Sequence, residues 1–89
     1  MSQENFKGKM YFVNSKNLNR IGWEYDEETK QGVLRAEFRN GMQYDYFPVD
    51  KKKFSEIFSS ESKGSWFDLE IKKNKSISYE KVEEENKSE

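Results

Sequence analysis

The side chains that could carry chemistry in this 89-residue chain are hydroxyls, amines and carboxylates, because the sequence contains neither cysteine nor histidine. Two neighbouring pairs, Ser15-Lys16 and Ser62-Lys63, place a hydroxyl beside an amine, but no third activating group is evident for either pair. The acidic run 26–28 lacks the alternate spacing of a calcium-binding loop. We therefore expect a protein that is not an enzyme and that uses no metal or cofactor.

The stretch Ser62–Lys73, SKGSWFDLEIKK, indicates binding instead of catalysis. Trp66 is offset by about 100° from the helix face that Phe67 and Ile71 share, so its ring is a candidate for contact with a partner. Aromatic rings beside amines suit stacking on nucleobases, with the amines on phosphates. The amines near Trp66 belong to Lys63, Lys72, Lys73 and Lys75. A plain structural reading, a capped helix packed on a sheet, explains most of the same stretch.

Composition predicts one small folded domain without a membrane span. Only 33% of the residues are hydrophobic and 37% are charged, but aromatic residues make up 16% and allow a thin core. The acidic segment 83–89 holds four Glu and one Lys. The rest of the chain has 15 basic and 13 acidic residues, which gives it a weakly basic net charge of +2. The chain shows no signal-peptide pattern and no apolar run of about 18 residues. We expect a cytoplasmic protein.

Alternation and turn residues predict five strands and two helices. The strands are expected at Lys9–Val13, at Arg20–Tyr25, in a hairpin within residues 33–47 and, as a last strand, at Ser76–Val82. A first helix should run from an N-cap at Asp50 to about Ser59, with Phe54, Ile57 and Phe58 facing the core. A second helix should start at a capping box of Ser65 and Asp68 and bury Phe67 and Ile71.

The turn of the hairpin is decided by its register. A two-residue Asn40-Gly41 turn would put Tyr44 and Tyr46 on the face of Arg35 and Glu37. A three-residue loop over residues 39–41, with Gly41 in the left-handed region, makes one face wholly apolar or aromatic. It also brings Arg35 opposite Asp45. The sequence therefore favours the three-residue loop.

Three ordered motifs resemble the KTSC domain family, which is named for its place at the C-terminus of some lysyl-tRNA synthetases and also occurs as stand-alone bacterial and phage proteins. The segment from Val13 to Glu24 is similar to the family's V-x-S-S-N-I-x-x-I-G-Y-D, and Leu34 to Tyr46 to its L-x-V-x-F-x-x-G-x-x-Y-x-Y. The late motif A-x-S-x-G-x-Y-F-N-x-x-I-K falls on Ser60 to Lys72. This chain departs from the family with Lys16, Trp23, Trp66 and Asp68. The resemblance implies a fold but no reaction.

Taken together, these observations predict an α+β fold, with a small, bent, barrel-like antiparallel sheet of four or five strands and two short helices after the fourth strand. A mobile arm should occupy residues 1–8, the domain residues 9–82 and a disordered acidic tail residues 83–89. We expect a binding module whose partner is nucleic acid or a nucleotide-like ligand, or alternatively a protein-interaction adaptor that uses the same surface. Its candidate ligand-binding residues are Ser15, Asn17, Arg20, Tyr44, Tyr46, Ser62, Lys63, Gly64, Trp66 and Lys72. For the two tyrosines, the period of two favours sheet core over a stacking platform, with their hydroxyls reaching the rim.

Overall fold

The computed structural model describes residues 6–82 and contains a five-stranded antiparallel sheet whose strand order follows the sequence. The strands are β1 (Met10–Phe12), β2 (Leu18–Asp26), β3 (Gln31–Phe38), β4 (Gln43–Phe47) and β5 (Ser78–Lys81). The helices after β4 are α1 (Lys51–Glu56), which continues as a 3₁₀ turn over Ile57–Ser59, and α2 (Lys63–Phe67), which continues as a π-helical turn over Asp68–Lys72. The predicted α+β class and element order are confirmed. Among residues 6–82, no strand pairs with the outer edge of β1 or of β5, so the sheet is open and not a closed barrel.

The β3–β4 hairpin has the predicted register. Arg35 lies opposite Asp45, and Ala36 lies opposite Tyr44. The Phe38 N–H donates to the Met42 carbonyl at 2.8 Å, which leaves residues 39–41 as a three-residue loop. Gly41 takes a φ of +93°, a conformation that a side chain would disfavour. The three-residue loop thus turns the aromatic side of both strands toward the helices.

The core lies between that side of the sheet and the two helices. Ile21 and Leu34 from the sheet are fully buried, as are Ile57 and Ile71 from the helical segments. Phe67 is 2% exposed, so the predicted core face of the second helix is confirmed. Each such side chain contributes about 1.5–3 kcal/mol when it is fully buried, which lets a sparse apolar sequence fold.

The helix caps follow the predicted chemistry at one helix and differ at the other. The Asp50 carboxylate accepts the Lys53 N–H at 2.7 Å, which confirms the N-cap of α1. The predicted cap of α2 at Ser65 is wrong, because Ser62 caps this helix and accepts the Ser65 N–H at 3.3 Å. Ser62 is the residue with extended backbone angles, so the helix begins three positions earlier and Ser65 lies inside it.

Phe58 does not join the core as its spacing predicts. It is 46% exposed and makes edge-to-face contacts with Tyr11 and Phe54 at the β1 side of the sheet. The 3₁₀ turn tightens the helix after Glu56 and changes the angular spacing on which an α-helical prediction depends. An aromatic cluster therefore lies at the surface beside β1.

The other side of the sheet carries a buried ion pair. The Arg35 guanidinium donates to the Asp45 carboxylate at 2.8 and 3.0 Å, and each residue is 8% exposed. The Phe6 ring covers this pair, with its centroid 4.4 Å from the guanidinium carbon. Phe6 belongs to the predicted N-terminal arm, of which residues 1–5 lie outside the described residues, as does the predicted tail 83–89. Within residues 6–82, none of the helices is long and apolar enough to cross a membrane.

Candidate ligand-binding site

Seven of the ten candidate residues line two recesses beside α2 and its π-helical turn. We call the first the aromatic recess; Phe38, Tyr44, Tyr46, Lys72 and Tyr79 line it. We call the second the polar recess; Asn14, Ser15, Lys16, Asn17, Ser62, Gly64, Ser65 and Asp68 line it. The sequence predicts one groove, whereas the structure divides these residues into two chemically different sites.

The aromatic recess is built by neighbouring strands that present tyrosines on one face. Tyr79 of β5 lies opposite Tyr46 of β4, and the centroids of their rings are 6.0 Å apart. Tyr44 lies 6.4 Å from Tyr46 and 6.0 Å from Tyr79, so the three rings form a cluster. Tyr79 is 67% exposed. The recess has a volume of about 370 Å³, toward the lower end of the range for small-ligand sites.

Tyr46 forms the deepest part of this recess. It is 5% exposed and meets Phe67 edge to face with 5.3 Å between the ring centroids. Burial, with smaller contributions from the neighbouring Tyr44 and Tyr79 phenols, raises the pKa of Tyr46 to about 12. Its hydroxyl is therefore neutral at physiological pH and can donate a hydrogen bond. The prediction that Tyr46 belongs to the core is confirmed, and its side chain also lines the recess.

Positive charge lies at the rim of the aromatic recess. The Lys72 ammonium is 6.0 Å from the centroid of the Phe38 ring, within the range of a cation–π contact. Lys81 lies opposite Tyr44 in the β4–β5 register and so shares its face of the sheet. Glu80 lies opposite Asp45 on the other face. A ligand that enters this recess therefore meets aromatic rings below and ammonium groups at the edge.

Three residues of the polar recess have architectural roles. The Ser15 hydroxyl accepts the backbone N–H groups of Asn17 and Leu18, both at 3.2 Å, and so holds the turn between β1 and β2. The Ser62 hydroxyl caps α2. A Cβ at Gly64 would lie 2.9 Å from the Ser15 hydroxyl, so glycine lets the helix approach this turn closely. These contacts join the first and third family motifs across the fold.

The remaining polar groups of this recess are available for a ligand. Among residues 6–82, the side chains of Asn14, Lys16, Asn17 and Ser65 have no hydrogen-bond partner. Asp68 forms an ion pair with Lys73, with 3.2 Å between its Oδ2 and the Lys73 Nζ. The recess therefore offers two amides, an ammonium, a hydroxyl and a carboxylate. Its volume is about 560 Å³.

Arg20, Lys63 and Trp66 line neither recess. Arg20 bonds to Glu37 and stacks over Phe12, 5.6 Å from the ring centroid. The hydrogen bond between them raises the pKa of the Arg20 guanidinium and lowers the pKa of the Glu37 carboxyl. Arg20 therefore lies on the face of the sheet that points away from the helices, because successive residues of β2 alternate between the two faces.

Lys63 and Trp66 both have contacts within the protein. The Lys63 Nζ donates to the Ser60 carbonyl at 3.3 Å and so helps close the start of α2. Trp66 is partly buried and packs against the hydrophobic core. A large ring reaches the core from a position that flanks the Phe67–Ile71 face, which is why the offset of 100° does not expose it. Trp66 is thus partly buried instead of exposed, and its contact with a ligand stays a prediction.

Sequence reasoning missed Phe38 and Tyr79 in the aromatic recess, and it missed Asn14, Lys16, Ser65 and Asp68 in the polar recess. Tyr79 alternates correctly in the predicted last strand, but its neighbours depend on the long-range pairing of β5 with β4. Phe38 is visible in the hairpin register as a core-facing residue, and only the position of Lys72 above it indicates a binding role. Within the described residues, no group of three or more acidic side chains is arranged to hold a metal ion.

Comparisons with known proteins identify the fold. The family model of the KTSC domain matches residues 14–74. The crystal structure of a KTSC domain protein from Yersinia pestis superposes with a TM-score of 0.69 at 28% sequence identity, covering 85% of this chain and 99% of that chain. No curated protein sequence matches. The family match includes the whole polar recess but ends before β5, which supplies Tyr79 to the aromatic recess.

Proposed function

The chain belongs to the KTSC domain family, and from that premise we propose that it is a non-catalytic module that binds single-stranded nucleic acid. One base stacks in the aromatic recess, and the adjoining phosphates meet Lys72 and Lys81. The observation that carries this proposal is the exposed ring of Tyr79 at the side of a tyrosine cluster with the Lys72 ammonium at its rim. Stacking on such rings tolerates any base, and amines neutralise the backbone.

The exposure of Tyr79 is the feature that folding alone does not explain. Tyr46, its partner across the strands, is almost fully buried, whereas 67% of the Tyr79 surface is open to water. The ring nevertheless has fixed neighbours at 6.0 Å, which limits its freedom before a ligand arrives. A ring held in this way loses little entropy when a base stacks on it. This supports a preformed stacking site.

The test is a titration of isotopically labelled protein with short single-stranded RNA and DNA, followed by NMR at low and moderate salt. We expect shifts at Tyr44, Tyr79 and Lys72, and weaker binding as the salt concentration rises. Tyr79→Ala should lower the affinity about tenfold, within the range of 1–3 kcal/mol per stacked base. Lys72→Gln should reduce the slope of log affinity against log salt concentration by about one.

Matched controls come from other parts of the same surface. Phe12→Ala removes an equally exposed aromatic, 76% accessible, from the other edge strand, and it should leave the affinity unchanged. Lys51→Gln removes an exposed ammonium from α1, and it should leave the salt dependence unchanged. A spectrum that does not change with either nucleic acid at low salt contradicts the proposal.

The free edge of β5 favours a second candidate, a protein-interaction adaptor. The Val82 N–H donates to the Gln43 carbonyl, so the backbone groups of Tyr79 and Lys81 point away from β4 by the alternation of an antiparallel ladder. An extended peptide could pair with these groups. Lys81→Pro would remove an outward N–H and block such pairing, whereas Lys81→Gln would remove only the charge. Loss of a captured protein with the proline variant alone would support the adaptor.

A further inference from the structure

We infer that the polar recess is a second subsite, which reads the base next to the one stacked in the aromatic recess, and that Asp68 makes this subsite select guanine. The inference rests on the proposed function and adds a specificity to it. The aromatic recess accepts any base, so selection must come from polar groups elsewhere. The polar recess supplies such groups beside it.

The two recesses adjoin on both of their sides. On the sheet side, the Arg39 N–H donates to the Asn17 carbonyl at 2.8 Å, so Asn17 of the polar recess is next to Phe38 of the aromatic recess. On the helix side, Asp68 and Lys72 lie four positions apart and line the polar and the aromatic recess, respectively. Side chains separated by about one helical turn are roughly 5–6 Å apart, which suits neighbouring nucleotides of one strand.

The π-helical turn places these two side chains. The Lys73 N–H donates to the Asp68 carbonyl at 3.0 Å, the five-residue spacing that defines this turn. Such turns occur frequently at functional sites. With more than four residues per turn, Asp68 and Lys72 project toward the same side of the helix. The strand's phosphates can thus run over Lys72 while the following base turns toward Asp68.

The charges in the polar recess favour a base edge over a phosphate. Asp68 is 42% exposed at its side chain, and its Oδ2 is the atom that pairs with Lys73. A phosphate there would face this carboxylate, whereas a carboxylate accepts hydrogen bonds readily. Guanine presents two adjacent donors, N1–H and the N2 amino group, on its Watson–Crick edge. Adenine, cytosine and uracil present no such adjacent pair of donors, so they fit a carboxylate less well.

The other free groups complete the fit to guanine. The guanine O6 is an acceptor beside N1–H, and the Asn17 amide or the Lys16 ammonium can donate to it. The Ser65 hydroxyl and the Asn14 amide remain for the ribose, since each can donate and accept. Single-stranded nucleic acids are commonly read in this way, on the Watson–Crick edges of unpaired bases.

The test compares a short oligouridylate with the same oligomer carrying one guanine, adenine or cytosine, using NMR titration of the full chain. We expect the guanine oligomer to bind about tenfold more tightly than oligouridylate, the size of one good bidentate contact. Asp68→Asn should reduce this preference to below about threefold, with oligouridylate still bound. Glu27→Gln, an exposed carboxylate in the β2–β3 loop, is the control that should keep the full preference.

Each other outcome has a distinct meaning. Equal affinities for all four oligomers, or a guanine preference that survives Asp68→Asn, would overturn the inference while the aromatic recess keeps its role. Inorganic phosphate that shifts Asn17 and Ser65 would show an anion site, which also overturns it. If no oligomer binds even at low salt, the proposed function fails, and the inference fails with it.

Discussion

A side chain at position 64 has room only if the Ser15 side chain moves. Whether Gly64→Ala stabilises or destabilises the protein should therefore depend on Ser15. In Gly64→Ala, the new Cβ would lie 2.9 Å from the Ser15 hydroxyl, which is closer than ordinary contact. The hydroxyl could rotate away, but it accepts the backbone N–H groups of Asn17 and Leu18, both at 3.2 Å. Rotation would break both bonds.

The free energy of the two hydrogen bonds and the helix propensity of alanine together decide whether Gly64→Ala destabilises the protein. A neutral hydrogen bond contributes about 0.5–1.5 kcal/mol to stability, and these two are partly exposed, so their joint loss costs about 1–2 kcal/mol. Alanine in place of glycine within a helix contributes about 0.5–1 kcal/mol in the other direction. Gly64→Ala should therefore lower the free energy of unfolding by about 0.5–1 kcal/mol.

In a Ser15→Ala background the same change should stabilise the protein. The Ser15 hydroxyl is then absent, and the Ser15 Cβ, 3.9 Å from the new methyl group, makes ordinary contact. Gly64→Ala should then raise the free energy of unfolding by about 0.5–1 kcal/mol. Urea unfolding of the four proteins, followed by tryptophan fluorescence, measures both effects. Equal stabilisation in both backgrounds would refute the close contact on which the argument depends.

Three further predictions concern the sheet. Asp45→Leu should lower the free energy of unfolding by about 3 kcal/mol because it removes the carboxylate that accepts two hydrogen bonds from the buried Arg35 guanidinium. The double variant with Arg35→Met should recover most of this loss, and urea unfolding would contradict this if the single variant were as stable as the double. The raised pKa of Tyr46, about 12, stabilises the fold fully below pH 10, and this contribution of up to about 3 kcal/mol should disappear as the pH rises from about 10 through 12. Tyr46→Phe should show a shallower loss of stability over that range. Gly41→Ala should lower the free energy of unfolding by about 1–2 kcal/mol because residue 41 has a positive φ. Gly41→Asn should lower it less, and thermal unfolding that ranks the two variants in the opposite order would contradict this prediction.

The parts of the fold that are set by local pattern could be predicted from the sequence. The hairpin register followed from keeping Tyr44 and Tyr46 on one apolar face, because a slip by one residue would turn both to water. The cap of α1 followed from Asp50 in the same way. The start of α2 did not, because Ser62 and Ser65 both carry hydroxyls suited to capping, and only the backbone angles distinguish them.

The candidate site was harder to predict because it depends on long-range pairing. Nothing local indicates that Tyr79 lies beside Tyr44, since this follows from the pairing of β5 with β4 across the intervening helices. For Trp66, the helical angle predicts a ring outside the core, whereas in the structure the ring packs against the core. Helical spacing specifies a direction, whereas the length of a tryptophan ring and the packing around it decide burial.

The polar recess separates residues that hold the fold from residues that can meet a ligand, although all of them line the same space. The bonds of Ser15 and Ser62 are used within the protein, and Gly64 is required by its distance to Ser15. Substitution of these residues changes stability first and would lower binding even if no ligand touched them. Asn17 and Asp68 have side-chain capacity left for a partner. Asn17 matches the family motif and Asp68 departs from it, so the ligand of this chain is best sought through these two side chains.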